Sequence, residues 1–267
     1  MQSKNIDYFV SFHAGSQGRF VDLAIKALLQ NSFGDFKFCR GEFNSWHYDF
    51  RSRGYQNNTF QDYRAKTSEE FYSLVQFSSN KINSVQTHMY PHWPAIAKRS
   101  DLDHVKFVVI KISESDLLEI HGNIIYKNYL RDLMIGNPSP GTKNRLDNIY
   151  NIFCQLYGAA DYDTAVKELT TDHSKAQQII EVSFQDPLWD ISDKFINIAV
   201  NDEFVDKTLV IDYRDIFTKS AKSYIALDKI CDFFKVRPEQ PAVEMFLFNQ
   251  QGRSAMIDEY MYNLNIR

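Results

Sequence analysis

Tyr8-Phe9-Val10-Ser11-Phe12-His13-Ala14-Gly15-Ser16-Gln17-Gly18-Arg19-Phe20 is the stretch on which the fold turns. Tyr8 to Phe12 are β-prone. His13 to Gly18 break the pattern with two glycines, and Phe20, Leu23, Ala24, Ala27 and Leu28 then recur at helical spacing. The chain reads here as strand, glycine loop, helix. Such a loop at a helix N-terminus turns backbone N–H groups toward one point, where the helix dipole adds roughly half a positive charge. An anion suits that point, a phosphate above all. The nucleotide-hydrolase pattern of four residues between glycines, then Lys and Ser or Thr, is not met. Arg19 could supply the cation, but Phe20 occupies the place of the magnesium-binding hydroxyl, which disfavours a magnesium nucleotide. A tight turn without ligand uses two glycines equally well, so both readings stay open at this point.

Working outward, Val105-Lys106-Phe107-Val108-Val109-Ile110-Lys111-Ile112 is nearly continuous apolar, as expected of a strand buried on both faces of a parallel sheet. Thr208-Leu209-Val210-Ile211 has the same character, and Ser84-Val85-Gln86-Thr87-His88 is a shorter strand closed by Pro91. Helices are expected at 94–99, 116–130, 145–156, 174–184 and 223–234. Pro238 and Pro241 then set off a C-terminal section with a last helix at 256–264. Residues 31–66 are polar, ring-rich and aperiodic, a long irregular segment suited to a lid or a substrate wall; Trp46, His47, Tyr48 and Tyr55 are its candidate acceptor-lining rings. The densest turn cluster is Gly136 to Gly141. Short apolar strands alternating with helices define an α/β fold with a central parallel sheet covered on both faces. The expectation is a single domain over 1–267, with 131–206 as a helical insertion or cap, since little in that stretch reads as strand.

Composition narrows the functional classes. The chain has 267 residues, 30 Lys plus Arg against 34 Asp plus Glu, and a net charge of −4, so the broad positive field of a nucleic-acid binder is missing. Three cysteines, Cys39, Cys154 and Cys231, are odd in number and far apart, which fits neither a disulfide framework nor a paired-cysteine zinc site. No stretch has the length of a membrane span or the cleavage pattern of a signal peptide. A cytoplasmic protein without anchor is the expectation, with neither nucleic acid nor membrane as partner. His88 and His92 have ligand spacing for a helix, but Pro91 interrupts and no Glu completes the helical zinc motif, so no metal is expected. Aromatic residues make up 15% of the chain, enough both to fill a core and to wall a ligand.

The order of motifs resembles one family, the sulfotransferases, which use 3′-phosphoadenosine 5′-phosphosulfate as donor. That family places a Ser-Gly-Thr-Thr type loop after its first strand, where this chain has Ser16-Gln17-Gly18-Arg19-Phe20. It follows with Lys-Thr-His-Leu-Pro, matched here by Gln86-Thr87-His88-Met89-Tyr90-Pro91. A buried strand ending in Arg, with Asp and Ser beyond it, corresponds to Val108-Val109-Ile110-Lys111-Ile112-Ser113-Glu114-Ser115-Asp116. A strand running into Tyr-Glu-Asp-Leu and a helix ending Phe-Leu-Gly corresponds to Leu209 through Ile216 and then Ile230 through Val236. The four landmarks in family order cover most of the chain.

The resemblance implies a P-loop-type three-layer sandwich and sulfuryl transfer to a hydroxyl of a small molecule or carbohydrate. It makes His88 the general base and gives Gly15, Ser16, Gln17, Gly18 and Arg19 to the phosphosulfate, with Arg19 also stabilising charge in the transfer. Lys111 and Arg253 would reach the 3′-phosphate. The chain departs from the pattern at Gln86, where the family has Lys, and in its first loop, where only the shifted Arg19 supplies a cation. Those departures keep an alternative open, a catalytically degenerate relative acting as a nucleotide-binding or interaction module. A small kinase is disfavoured by Phe20. Arg19, Lys111 and Arg253 are expected to gather at one sheet edge.

Overall fold

A computed structural model describes residues 6–13, 15–30, 46–49, 52–55, 67–75, 77, 82–125, 152, 154–183, 192–217 and 224–264. The chain divides into two compact units, one of 1–112 with 191–252, the other of 113–190 with 253–267. Most of the stretch expected as an insertion falls in the second unit, while 191–206 belongs to the first.

The first unit is built on a sheet. Strand β1 (Ile6–Ser11) leads through the glycine loop into helix α1 (Gly18–Gln30). Two short strands, β2 (Trp46–Asp49) and β3 (Ser52–Tyr55), precede α2 (Ser68–Leu74), β4 (Ile82–Thr87) and a single turn, α3 (Trp93–Ile96). Next is β5 (Lys106–Lys111). The strand order is β3-β2-β4-β1-β5-β6, where β6 is Thr208–Asp212, and every pairing is parallel except β2 with β3. The α/β architecture with a parallel central sheet is therefore as expected. The strands β2 and β3 are not: they lie inside the segment read as irregular, because strands of four residues each are too short for their alternation to register. The side chains of Trp46, His47, Tyr48 and Tyr55 lie outside the described residues, as do the 136–141 turn cluster, Cys39 and most of 145–156.

Alternation along β1 separates the two faces. Phe9 stacks on Phe107 of β5 at 5.4 Å and meets Phe71, Tyr72 and Phe77 edge-on. Trp93 and Phe204 close the same cluster around Phe107. Each such ring contributes about 1.5–3 kcal/mol by leaving water, so much of the aromatic load is core. Tyr8 points the other way, toward α1 and the ring of Phe234 in α9 (Ile225–Phe234). Its hydroxyl donates to Asp22 Oδ1 at 2.9 Å; Gln86 Nε2 donates to Asp22 Oδ2 at 2.6 Å, and Lys26 sits 3.3 Å from the same oxygen. Asp22, Tyr8 and Gln86 are each 0% exposed. This buried network fastens α1 to β1 and β4.

The second unit holds α4 (Glu114–Ile125), α5 (Tyr162–Thr171) and α6 (Ala176–Ser183). Gly122 of α4 lies under the end of the Met261 side chain, where a β-carbon would stand 2.8 Å from Cε. Back in the first unit, α7 (Ser192–Ile196) precedes β6 and α8 (Tyr213–Ile216) follows it directly. The last helix, α10, runs over Gln240–Asn263 and begins sixteen residues before the expected Met256. Pro241 does not set the segment off; it is the second helical residue, where its absent N–H is one of the first-turn donors that lack an intrahelical partner anyway.

Candidate functional site

The site is built at the carboxyl ends of the parallel strands. The chain steps from β1 out to β2, returns to β4, then crosses to β5, so strand order reverses around β1, the place where open α/β sheets bind ligands. The loop after β1 has Gly15 at φ 85° and Gln17 at φ 62°, flanking Ser16. Two left-handed residues around one ordinary residue wind the backbone into a concave turn. Glycine pays nothing at such an angle; Gln17, which pays a strain cost, also closes the helix entrance, its carbonyl accepting from Phe20 N at 2.8 Å and Val21 N at 3.3 Å. Gly18 and Arg19 thus open α1, and their N–H groups precede the first that bond within the helix.

Ser16 is fully buried, and both its N–H and its Oγ donate to the His13 carbonyl, at 3.0 and 2.7 Å. Its hydroxyl therefore shapes the loop. Gly18 is glycine for a steric reason: a β-carbon would overlap Cγ, Cδ1 and Cδ2 of Phe12. Arg19 is exposed on the first turn of α1.

His88 follows β4 directly. Parallel pairing of β1 with β4 sets Ser11 beside Thr87, and Phe12 N donates to the Thr87 carbonyl at 3.0 Å, so His88 stands next to the start of the glycine loop. Its Nδ1 lies 3.1 Å from the Phe12 carbonyl and its ring meets the Phe12 ring edge-on at 4.5 Å. A carbonyl only accepts, so Nδ1 carries the proton in the neutral ring and Nε2 is the basic nitrogen. The backbone on either side is tied down. Met89 N donates to Thr87 Oγ1 at 3.0 Å, and Tyr72 OH, 2.9 Å from Ser11 Oγ, reaches the Met89 carbonyl at 3.5 Å. Burial holds the Tyr72 hydroxyl well above the usual phenol range.

The remaining expected residues separate. Lys111 is exposed at the end of β5; Val109, two residues earlier, pairs with Ser11, so Lys111 lies at the same carboxyl edge as the loop. Arg253 belongs to the second unit and to α10, where its guanidinium contacts Met256 Sδ at 3.7 Å. A late basic loop is not its setting. Of the three cations, Arg19 and Lys111 lie at the carboxyl edge of the sheet in the first unit, and Arg253 lies in the second unit. In the second unit, Asp116 accepts from Ser113 N at 2.9 Å and caps α4, a role that the Ser113-to-Asp116 spacing already serves. Gln86 is turned away from the loop into the Asp22 network. His92 accepts from Ala95 N at 3.2 Å through Nδ1, a cap rather than a partner of His88. Among the described residues no cluster of His, Cys, Asp or Glu side chains is placed to hold a metal, and no helix is long and apolar enough to cross a membrane.

Phe12, Tyr72 and Asp22 are the residues sequence reasoning missed. A signal for Tyr72 existed: Thr67-Ser68-Glu69-Glu70 is a capping box, and Thr67 Oγ1 does accept from Glu70 N at 3.1 Å, opening the helix that carries Tyr72. Comparison of the chain with protein-family models, with curated proteins and with solved structures returns no match.

Proposed function

We propose that the chain is a sulfotransferase-like enzyme of P-loop type, moving a sulfuryl group from 3′-phosphoadenosine 5′-phosphosulfate to a hydroxyl of a small molecule or carbohydrate. The observation that carries this reading is the adjacency of His88 to the glycine loop, with Nδ1 anchored on the Phe12 carbonyl and Nε2 left as the base. In the proposed step Nε2 takes the proton of the acceptor hydroxyl while its oxygen attacks sulfur. The bond from sulfur to the bridging phosphate oxygen breaks, and adenosine 3′,5′-bisphosphate leaves. Arg19 and the first-turn N–H groups of α1 meet the charge that grows on that phosphate, where preorganised donors act most strongly. Lys111 is assigned to the 3′-phosphate. A positioned base is typically worth about 10² to 10⁴ in rate.

A second reading, a nucleotide-binding module without turnover, is favoured by Gln86, whose side chain serves Asp22 and brings no cation to the loop. Calorimetric titration with adenosine 3′,5′-bisphosphate, with and without magnesium, tests both. Metal-independent binding supports the family reading, and its absence at millimolar ligand refutes it. Where the nucleotide binds, His88→Ala keeps affinity and loses turnover with an acceptor mixture; a nucleotide binder with no turnover in the unsubstituted protein is the module.

A further inference from the structure

Phe12 touches both halves of the candidate site. It is the residue after β1 and is 4% exposed. Its N–H donates to the Thr87 carbonyl at 3.0 Å and its carbonyl accepts from His88 Nδ1 at 3.1 Å, so its backbone extends the β1–β4 ladder by one rung and ends it on an imidazole. Its ring covers the Cα of Gly18, the first residue of α1, so closely that no β-carbon fits. The same ring stands 4.5 Å from the His88 ring, at 68° to it. One aromatic side chain therefore fills the gap between the helix that would hold the phosphate and the histidine that would accept the proton.

We propose that Phe12 is the positioning residue of this site: its ring spaces His88 from the first turn of α1, and its carbonyl fixes the tautomer that leaves Nε2 basic. The catalytic meaning of this rests on the sulfuryl-transfer reading; the positioning itself does not. Two substitutions act on the ring from opposite sides. Phe12→Leu removes it and keeps the backbone carbonyl. Gly18→Ala keeps the ring but forces it aside. Both free the imidazole to turn, and both shift it toward the Nε2–H form that neutral histidine commonly prefers. Because leucine vacates the space the new methyl needs, the two effects are not independent.

The experiment labels the full chain with 15N-histidine and reads tautomers from two-bond nitrogen–proton correlations, the His88 signals among the seven histidines being assigned by their loss in His88→Gln. The unsubstituted protein is expected to show His88 with Nδ1 protonated. Phe12→Leu and Gly18→Ala each move the His88 nitrogens toward the other tautomer, and the double variant is no further displaced than Gly18→Ala alone. Activity, once an acceptor is found, falls about tenfold in kcat for Phe12→Leu, with donor KM within about twofold. Unchanged His88 nitrogens in both single variants overturn the proposal, as does a double variant displaced by the sum of the two. Should Gly18→Ala not fold, Phe12→Leu decides alone. Failure of the unsubstituted protein to bind adenosine 3′,5′-bisphosphate would remove the sulfuryl-transfer reading while the tautomer result still judged Phe12. Binding with unmoved tautomers would do the reverse.

Discussion

Asp22→Ala is the sharpest test of how the site is held. Asp22 is completely buried on α1, a turn beyond Gly18, and accepts from Tyr8 OH on β1 and from Gln86 Nε2 on β4. Alanine takes the carboxylate from both buried donors, leaving Gln86 Nε2 without its acceptor and Tyr8 OH with only the Asp22 backbone carbonyl at 3.4 Å, at about 1–3 kcal/mol each. Lys26, whose side chain retains 17% exposure, turns to water at little cost. Removing the carboxylate also relieves its own desolvation, which trims the sum, and about 3–5 kcal/mol remains, the usual cost of stripping one partner from a buried pair. Against a total stability of about 5–15 kcal/mol for a native domain, that brings the sheet unit near its unfolding threshold. Asp22→Asn is the control. Its carbonyl still serves one donor and its amide can donate to the Tyr8 oxygen, so about 1–2 kcal/mol is expected. Urea unfolding followed by tryptophan fluorescence reads both values, provided the dependence on denaturant keeps its slope. An Asp22→Ala loss below about 1 kcal/mol, or an Asn variant as damaged as the Ala one, would refute the claim that the carboxylate joins α1 to the sheet.

Alkaline unfolding should be steep. Burial, with the charge of Asp22 nearby, raises Tyr8 well above the ordinary phenol value, and burial raises Tyr72 likewise. Both stay protonated in the fold while the unfolded chain ionises above about pH 10, so stability is intact below that pH and falls as pH rises, by about 1.4 kcal/mol per unit for each ring. Tyr72→Phe should lessen that slope by about 1.4 kcal/mol per pH unit; an unchanged slope would exclude Tyr72. Lys106, half-buried, donates to the Phe233 carbonyl at 2.6 Å and lies over the Phe233 ring at 4.5 Å, so Lys106→Met should cost about 1–2 kcal/mol in the same urea assay, and a neutral result would deny these two contacts any weight. Trp93 Nε1 and Tyr90 OH both donate to the Ala199 carbonyl, at 2.8 and 2.9 Å. Trp93→Phe should cost about 1 kcal/mol and Tyr90→Phe more, because the Tyr90 hydroxyl also accepts from Ala199 N at 2.9 Å; a Tyr90→Phe loss no larger than that of Trp93→Phe would contradict this.

What the sequence discloses here follows from the range of the forces involved. Val105 to Ile112 announces a buried parallel strand because both faces are apolar, and the glycine loop announces a tight entry into α1 because Gly15 needs its positive φ. The strands β2 and β3 are silent, since strands of four residues are paired by their neighbours and not by their own pattern. Pro241 misleads because proline ends a helix from within and starts one from its first turn. The site is legible in its residues and illegible in its joints. His88 can be named from motif order, but its Nδ1 partner is a carbonyl 76 positions earlier, and no local periodicity encodes that bond. Gln86 looks like a lost cation until Asp22 is placed beside it. Gly18 reads as room for a phosphate and is occupied by the protein's own ring.

The pairing of β5 with β6 governs how this chain can be made. Phe107 stands opposite Thr208, so an inner strand whose residues from Phe107 to Ile110 end fully buried waits for a neighbour encoded 101 positions downstream. At about 5–20 residues per second, a ribosome leaves that strand edge unmatched for roughly 5–20 seconds. During that interval the nascent chain offers a long apolar template to any other growing chain. Chaperone demand, and the yield of expression at different temperatures, should therefore follow translation speed between codons 111 and 212 more closely than any property of the finished fold.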